Sequence, residues 1–203
     1  MNTAELIRQH IQKLPTGEPF TPGPFLGMGS RASVDQALSR LASAGVITRV
    51  TRGVFVRPSE NRYLGMVLPE PSQVVEALAT AKGATVQIHG AEAARRFELT
   101  TQVPTQPVFY TTGPSKRFRM GKMEVVLKHA ASRKLALAGR PAGVALSALW
   151  YLGRNEVTPE TIAQIRRKLQ PTEFAALTAA KASMPGWMAE TFYRYEKESA
   201  AHG

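Results

Sequence analysis

The sequence predicts an α+β protein. An N-terminal winged helix-turn-helix occupies residues 1–62, and a mixed α/β domain with a small antiparallel sheet and a helical C-terminal segment occupies 63–203. Three observations carry that reading. Before residue 45 apolar side chains recur at helical spacing, and two β-rich runs around a Thr-Arg-Gly turn follow. Between 85 and 128 short β-type runs are separated by glycine-containing turns, and helical periodicity resumes after 143. The chain has 203 residues, 43% of them hydrophobic, which is enough to build one large domain or two small ones with real cores.

The elements follow in order. Leu6, Ile7, Ile11 and Leu14 form the apolar stripe of a helix over 3–14, and Pro15, Gly17 and Pro19 stop it. A brief second helix is expected from Thr21, with Thr21 as its cap and Pro22 at its first position. The third helix is the clearest. Ser30 caps it, Val34, Ala37, Leu38 and Leu41 repeat at i, i+3, i+4 and i+7, and Gly45 ends it. Val46–Val50 and Val54–Arg57 read as a hairpin joined by Thr51-Arg52-Gly53. Residues 58–71 read as a linker with one extended piece at 63–68.

The second domain opens with a helix over 72–82, a strand over 85–88 and a helix over 91–97. Strands are expected over 107–111, 116–120 and 123–128, with Gly113-Pro114 and Gly121-Lys122 as turns. Helices are expected over 143–152, from an opening at Thr158-Pro159-Glu160 through Leu169, from one at Pro171-Thr172-Glu173 through Ser183, and in an aromatic tail containing Trp187, Phe192, Tyr193 and Tyr195. The tail aromatics read as core or packing surface, not as a ligand box.

Charge narrows the function. The formal net charge is +11. Residues 1–62 carry eight basic and four acidic groups, residues 63–140 eleven and five, and residues 141–203 seven and six. The first two-thirds of the chain is basic, which implies a polyanionic partner. There is no cysteine, Asp35 is the sole aspartate, and the four histidines lie far apart. Thiol chemistry, disulfides and cysteine-based metal sites are excluded, and the short supply of acids and bases argues against an enzyme. No catalytic residue, metal or cofactor is expected. No apolar run reaches membrane-span length, and the N-terminus lacks the apolar core of a signal peptide. The expected location is cytoplasmic, associated with the nucleoid.

The residues 20–58 hold the most specific signal. Asp35 is their one acidic residue, against Arg31, Arg40, Arg49, Arg52 and Arg57. In a winged helix-turn-helix the second helix of the motif enters the major groove, and its early side chains meet base edges. Here those are Ser30, Arg31, Ser33 and Gln36, with Arg40 further along. Arginine can pair with guanine, and glutamine with adenine, through two parallel hydrogen bonds. Arg49 and Arg52 would ride on the wing against phosphate. Gly27-Met28-Gly29-Ser30 looks like a phosphate loop but lacks the preceding strand and a following GK[ST], so a turn leading into a helix cap is expected.

A second basic cluster comprises Lys116, Arg117, Arg119 and Lys122, with Lys128, Arg133, Lys134 and Arg140 behind it, interleaved with Phe109, Tyr110 and Phe118. An aromatic and basic sheet face over 107–134 could hold RNA by stacking. The competing reading is a sheet edge protected from aggregation by charge. His89 has no carboxylate or nucleophile at a recognisable spacing, so a structural or capping role is expected for it.

Two segments also carry a family resemblance. SRASVDQALSRLASAGVITRVTRGVFVRP resembles the N-terminal winged helix-turn-helix of AbiEi-type antitoxins, with its R-G-x-[YF] at Arg52-Gly53-Val54-Phe55. IHGAEAARRFELTTQVPTQPVFYTTGPSKRFRMGKMEVVLKHA resembles the domain that follows in those proteins. Its G-x-x-A-A element begins at Gly90, its L-[ST]-T-Q-V-P at Leu99 and its T-x-G-P-S-[RK] at Thr111. Phe97-Glu98 stands where that family carries a more apolar, glycine-containing pair. The resemblance spans residues 1–170. It implies a repressor that binds repeats in its own promoter as double-stranded DNA, in a type IV toxin–antitoxin or abortive-infection system. It also implies a nucleotidyltransferase toxin as functional partner, without a stable protein complex.

Overall fold

The computed structural model describes residues 2–61 and 65–201, excepting the side chains of 60–66. It is an α+β fold with eight α-helices and three small sheets among those residues. The chain divides into two compact units. One comprises Met1–Ala84 with Arg117–Val125, and the other Thr85–Lys116 with Val126–Gly203.

In the first unit, helix α1 (Thr3–Lys13) starts at Asn2, whose side chain accepts from the Ala4 N–H. Ile7 and Ile11 are fully buried, as their spacing requires. The helix ends against Arg57, whose Nη1 donates to the carbonyl of Gln12 at 2.9 Å and to that of Leu14. Arg57 thereby satisfies carbonyls that a helix C-terminus leaves open.

The expected second helix is a single 3-10 turn, Gly23–Phe25, preceded by Pro22 rather than capped by Thr21. The surrounding prolines and glycines remove the donors and the rigidity a longer helix needs. Phe25 fills the core there and meets His10 and Phe20 edge-on. Helix α2 (Arg31–Ser43) follows, and α1 packs on it. The core of this unit is Ile7, Ile11, Phe25, Val34, Ala37, Leu38, Ile47 and Phe55.

Strand β1 (Pro19–Phe20), which the sequence did not announce, pairs antiparallel with β3 (Val54–Val56), and β3 pairs antiparallel with β2 (Thr48–Thr51). β2 begins two residues later than the β-rich run suggested. The register shifts between Arg49 and Thr51, and Gly53 turns the hairpin at φ 81°. Residues 58–71 are not a plain linker. Strands β4 (Ser59–Asn61) and β5 (Gly65–Val67) pair antiparallel there. Residues 63 and 64 of the expected extended piece lie outside the described residues. Helix α3 (Pro71–Thr80) buries Val74, Val75, Leu78 and Ala79 and contacts β1 and β3.

The remaining strands are β6 (Val86–Ile88), β7 (Val108–Thr111), β8 (Lys116–Met120) and β9 (Met123–His129), in the spatial order β6-β7-β9-β8. This sheet is mixed, not antiparallel as expected. β7 runs parallel to β9, while β6 runs antiparallel to β7. Alternation marks which faces strands bury but is silent on their neighbours.

The second unit is dominated by helices: α4 (Gly90–Arg96), α5 (Pro141–Leu152), α6 (Pro159–Lys168), α7 (Pro171–Ala179) and α8 (Gly186–Ala201). Leu146, Leu149, Ile162, Ile165, Leu177, Met188 and Phe192 are all fully buried in one cluster, against which Trp187 packs. α5 is its axis. A Cβ at Gly143 would lie 2.1 Å from the Leu137 carbonyl oxygen, and one at Gly90 2.6 Å from that of Ser147, so both positions need glycine. Glu173 of α7 accepts from Arg140 at 2.8 Å and from the Ala142 N–H at 3.0 Å. These two bonds hold its carboxyl below the ordinary carboxylate range and cap the start of α5.

α4 ends in a Schellman turn, with the Leu99 N–H donating to Ala94 and the Glu98 N–H to Arg95. Glu98 takes the left-handed position, φ 57°, which glycine usually holds. α6 braces the turn. Gln164 Nε2 donates to the carbonyls of Phe97 and Glu98, and Lys168 Nζ lies 2.6 Å from Glu98 Oε1.

Candidate nucleic-acid interface

Helix α2 presents the residues singled out in the sequence, and its start is built by local bonds. Ser30 Oγ accepts from the Ser33 N–H at 3.3 Å, and Ser33 Oγ donates back to the Ser30 carbonyl at 2.8 Å. Both serines therefore serve the cap first. The glycine before them is steric, since a Cβ at Gly29 would meet Thr3 Cγ2 at 2.6 Å. The segment is a turn onto a helix cap, with no cradle of backbone donors implied.

With Val34, Ala37 and Leu38 buried, α2 turns its opposite face to solvent. At 100° per residue, Ala32, Gln36, Ser39 and Ser43 lie along the centre of that face. Arg31 and Arg40 fall on opposite flanks. Arg31 Nε lies 3.0 Å from Asp35 Oδ2, and both side chains are more than half exposed, at 65% and 51%. Arg40 and Gln36 are exposed. Among the described residues Arg40 has no ion-pair partner.

The hairpin supplies the other two arginines. Arg49 stands opposite Phe55 in the β2–β3 register, and its guanidinium lies 5.3 Å from the centre of that ring. This cation–π contact limits its freedom before any ligand arrives. Arg52 is exposed at the turn itself. An open cleft of about 540 Å³ runs between the end of α2 and β2, lined by Ser39, Ser43, Thr48, Arg49 and Pro58 among others. Ser39, Ser43 and Thr48 are thus additions to the predicted set. For the two serines the signal was present in their helical spacing, three and seven residues beyond Gln36.

The second cluster is arranged differently. On β8 the inward residues are Phe118 and Met120, both buried, and the outward ones are Arg117 and Arg119, both exposed. Arg117 Nη1 lies 3.8 Å from Glu124 across the hairpin, and Lys122 is exposed at the turn beside Gly121. Lys116 is half-buried. Phe109 and Phe118 are buried, so the aromatic interleaving supplies core side chains, with Tyr110 alone of the three half-buried.

His89 caps α4, its Nδ1 accepting from the Ala91 N–H at 3.3 Å. Burial, then the charges of Lys128 and Lys134, hold its imidazole below the ordinary histidine value. Burial, then Tyr151, pushes the Tyr110 phenol up. Among the described residues no three His, Asp or Glu side chains gather where an ion could be held. Among the same residues no helix is long and apolar enough to cross a membrane.

Residues 6–177 match DUF6088, a family of unknown function, and the chain belongs to that family. No curated protein matches it.

Proposed function

We propose that the first unit contains a winged helix-turn-helix that binds duplex DNA, and that the protein is a transcriptional repressor. The observation that carries this reading is the pairing of α2 with the β2–β3 hairpin. A capped helix turns Gln36, Ser39, Arg40 and Ser43 outward, and the adjoining hairpin holds Arg49 over an aromatic ring with Arg52 at its tip. Side chains able to pair with bases stand on the helix, and side chains suited to phosphate stand beside it. The 3-10 turn at 23–25 takes the place of the short middle helix. The resemblance of both segments to AbiEi-type antitoxins supports a narrower proposal. The repressor acts on its own promoter within a type IV toxin–antitoxin system whose partner is a nucleotidyltransferase.

The test is a footprint of the full chain on the DNA upstream of its own reading frame. Protection of repeated sites is expected, with affinity falling about 0.9 logarithmic units per logarithmic unit of salt for each phosphate neutralised. If Arg31→Ala and Arg40→Ala both leave that footprint unchanged, α2 is not the reading helix. The narrower proposal has its own test. Growth arrest by an adjacent nucleotidyltransferase gene should be relieved when this chain is co-expressed, and persistent arrest overturns the antitoxin role while leaving the repressor intact.

A further inference from the structure

The second unit holds a cluster that the DNA-binding reading does not use. Gln87 on β6 is opposite Tyr110 on β7, and Tyr110 is opposite Lys128 on β9. Residues directly opposite one another point to the same face of a sheet. His89, two extended residues beyond Gln87, joins that face. Its ring centre lies 4.7 Å from that of Tyr110 and 5.9 Å from that of Tyr151 on α5. Lys134 completes the group. Its Nζ is held 4.8 Å from the centre of the Trp150 ring, on which Arg133 also lies, at 5.1 Å.

The acceptors of Gln87 and His89 are already used by backbone N–H groups, which leaves donors facing outward at neutral pH. His89 spends Nδ1 as the acceptor of the Ala91 N–H, which leaves the ring proton on Nε2. Tyr110 keeps its phenolic proton because burial and Tyr151 disfavour the phenolate. The charges acting on His89 are both positive, Lys128 and Lys134. Among the described residues neither lysine has a carboxylate within ion-pair distance. Gln87, 7% exposed, leaves Nε2 buried without a partner in the same row. Lys128 is exposed and Lys134 half-buried, and both act on His89, so the field around this group favours an anion. The exposed ring of Tyr151 beside His89 offers a flat surface for a base.

The geometry points to a binding site for a phosphate monoester carried on a flat ring, a mononucleotide or the phosphorylated end of a nucleic acid, formed by His89, Tyr110, Tyr151, Lys128 and Lys134. The lysines take the phosphate charge, the imidazole and the Tyr110 phenol donate to its oxygens, and the Tyr151 ring, whose hydroxyl donates to Gln102 Oε1 at 3.5 Å, stacks on the base. This site is independent of α2.

Calorimetry with the full chain tests it, using AMP, adenosine, inorganic phosphate and a 5′-phosphorylated dinucleotide. AMP is expected to bind saturably, with adenosine and phosphate each weaker by about tenfold or more, the worth of one charge-assisted contact. Histidine-selective NMR should show the His89 resonances moving with AMP while those of His10 and His129 stay. The double variant Lys128→Gln/Lys134→Gln should weaken AMP by about tenfold or more. His89→Asn keeps the helix cap, because asparagine also accepts from the backbone, and should weaken AMP as well. Arg40→Ala should bind AMP as the wild type does, even if its DNA binding is lost. A dinucleotide tighter than AMP assigns the site to a nucleic-acid end, and a weaker one to a free nucleotide; either ranking supports the site. Absence of AMP binding at millimolar concentration overturns the proposal. So do an unmoved His89 signal, or a folded double variant that binds AMP as tightly as the wild type.

Discussion

Helices α2 and α5 are of nearly equal length, yet they do opposite work. α2 buries one stripe and exposes the rest, including Gln36, Ser39, Arg40 and Ser43. α5 buries Ala142, Gly143, Ala145, Leu146, Ser147, Ala148 and Leu149, all but continuously. A helix apolar all round belongs at the centre of a core, whereas a one-sided helix keeps a face available for a partner. Substitutions on α5 should therefore change stability, and those on the outer face of α2 should change binding. Both tryptophans, Trp150 and Trp187, lie in the second unit, so their fluorescence follows its unfolding without interference from the first.

The largest effect is expected from Leu146→Ala. Leu146 is fully buried on α5, and removing three carbons there leaves a cavity that a helix-packed core closes poorly. The tryptophan-monitored urea transition should lose about 2–5 kcal/mol. A loss below about 1 kcal/mol would show that α5 is not the rigid axis its burial suggests.

Next comes Arg40→Ala on α2. Unfolding should stay within about 0.5 kcal/mol of wild type, because the side chain is exposed and has no described ion-pair partner. Affinity for the operator should fall by about 1–3 kcal/mol, with specificity relaxed at one position if the contact is to a base edge. Equal loss on all sequences would instead make Arg40 a phosphate contact.

The same contrast explains what the sequence made legible. α2 was readable because each of its cues is local: Ser30 three residues before Ser33, the i, i+3, i+4 stripe, and the terminal glycine. The hairpin was readable for the same reason. The brief middle helix proved to be a single 3-10 turn, since a proline in a start position says nothing about whether a full α-turn follows it. The parallel pairing of β7 with β9 was invisible, because it joins residues such as Tyr110 and Lys128 across a chain reversal. That pairing sets Tyr110 beside Lys128, so the linear order showed these basic and aromatic residues but not that they meet His89. The aromatic content of 107–134 was visible, but its direction was not: Phe109 and Phe118 serve the core.

A smaller effect lies at the Schellman turn. Glu98 holds a left-handed conformation that costs a non-glycine residue about 1–2 kcal/mol. Its ion pair with Lys168 returns little of that, because the Glu98 side chain is 73% exposed. Glu98→Gly should therefore raise the stability of the second unit by up to about 1 kcal/mol. A loss in the same fluorescence transition would mean that the Lys168 contact outweighs the strain.

The smallest effect is the most informative about α2. Arg31 and Asp35 form an exposed i, i+4 pair, with the cation nearer the helix N-terminus, the less favourable orientation of such pairs. Asp35→Asn should cost no more than about 0.5 kcal/mol of stability. It also removes the single acidic charge from residues 20–58 and frees the Arg31 guanidinium. If DNA lies along this helix, the variant should bind more tightly than wild type and show a steeper dependence on salt, because one more cation reaches phosphate. Gel-shift titrations at two or more salt concentrations read both quantities. Weaker binding by Asp35→Asn, with the helix intact, would mean that Asp35 orients Arg31 toward a base, the role expected for it, and does not mask a phosphate contact.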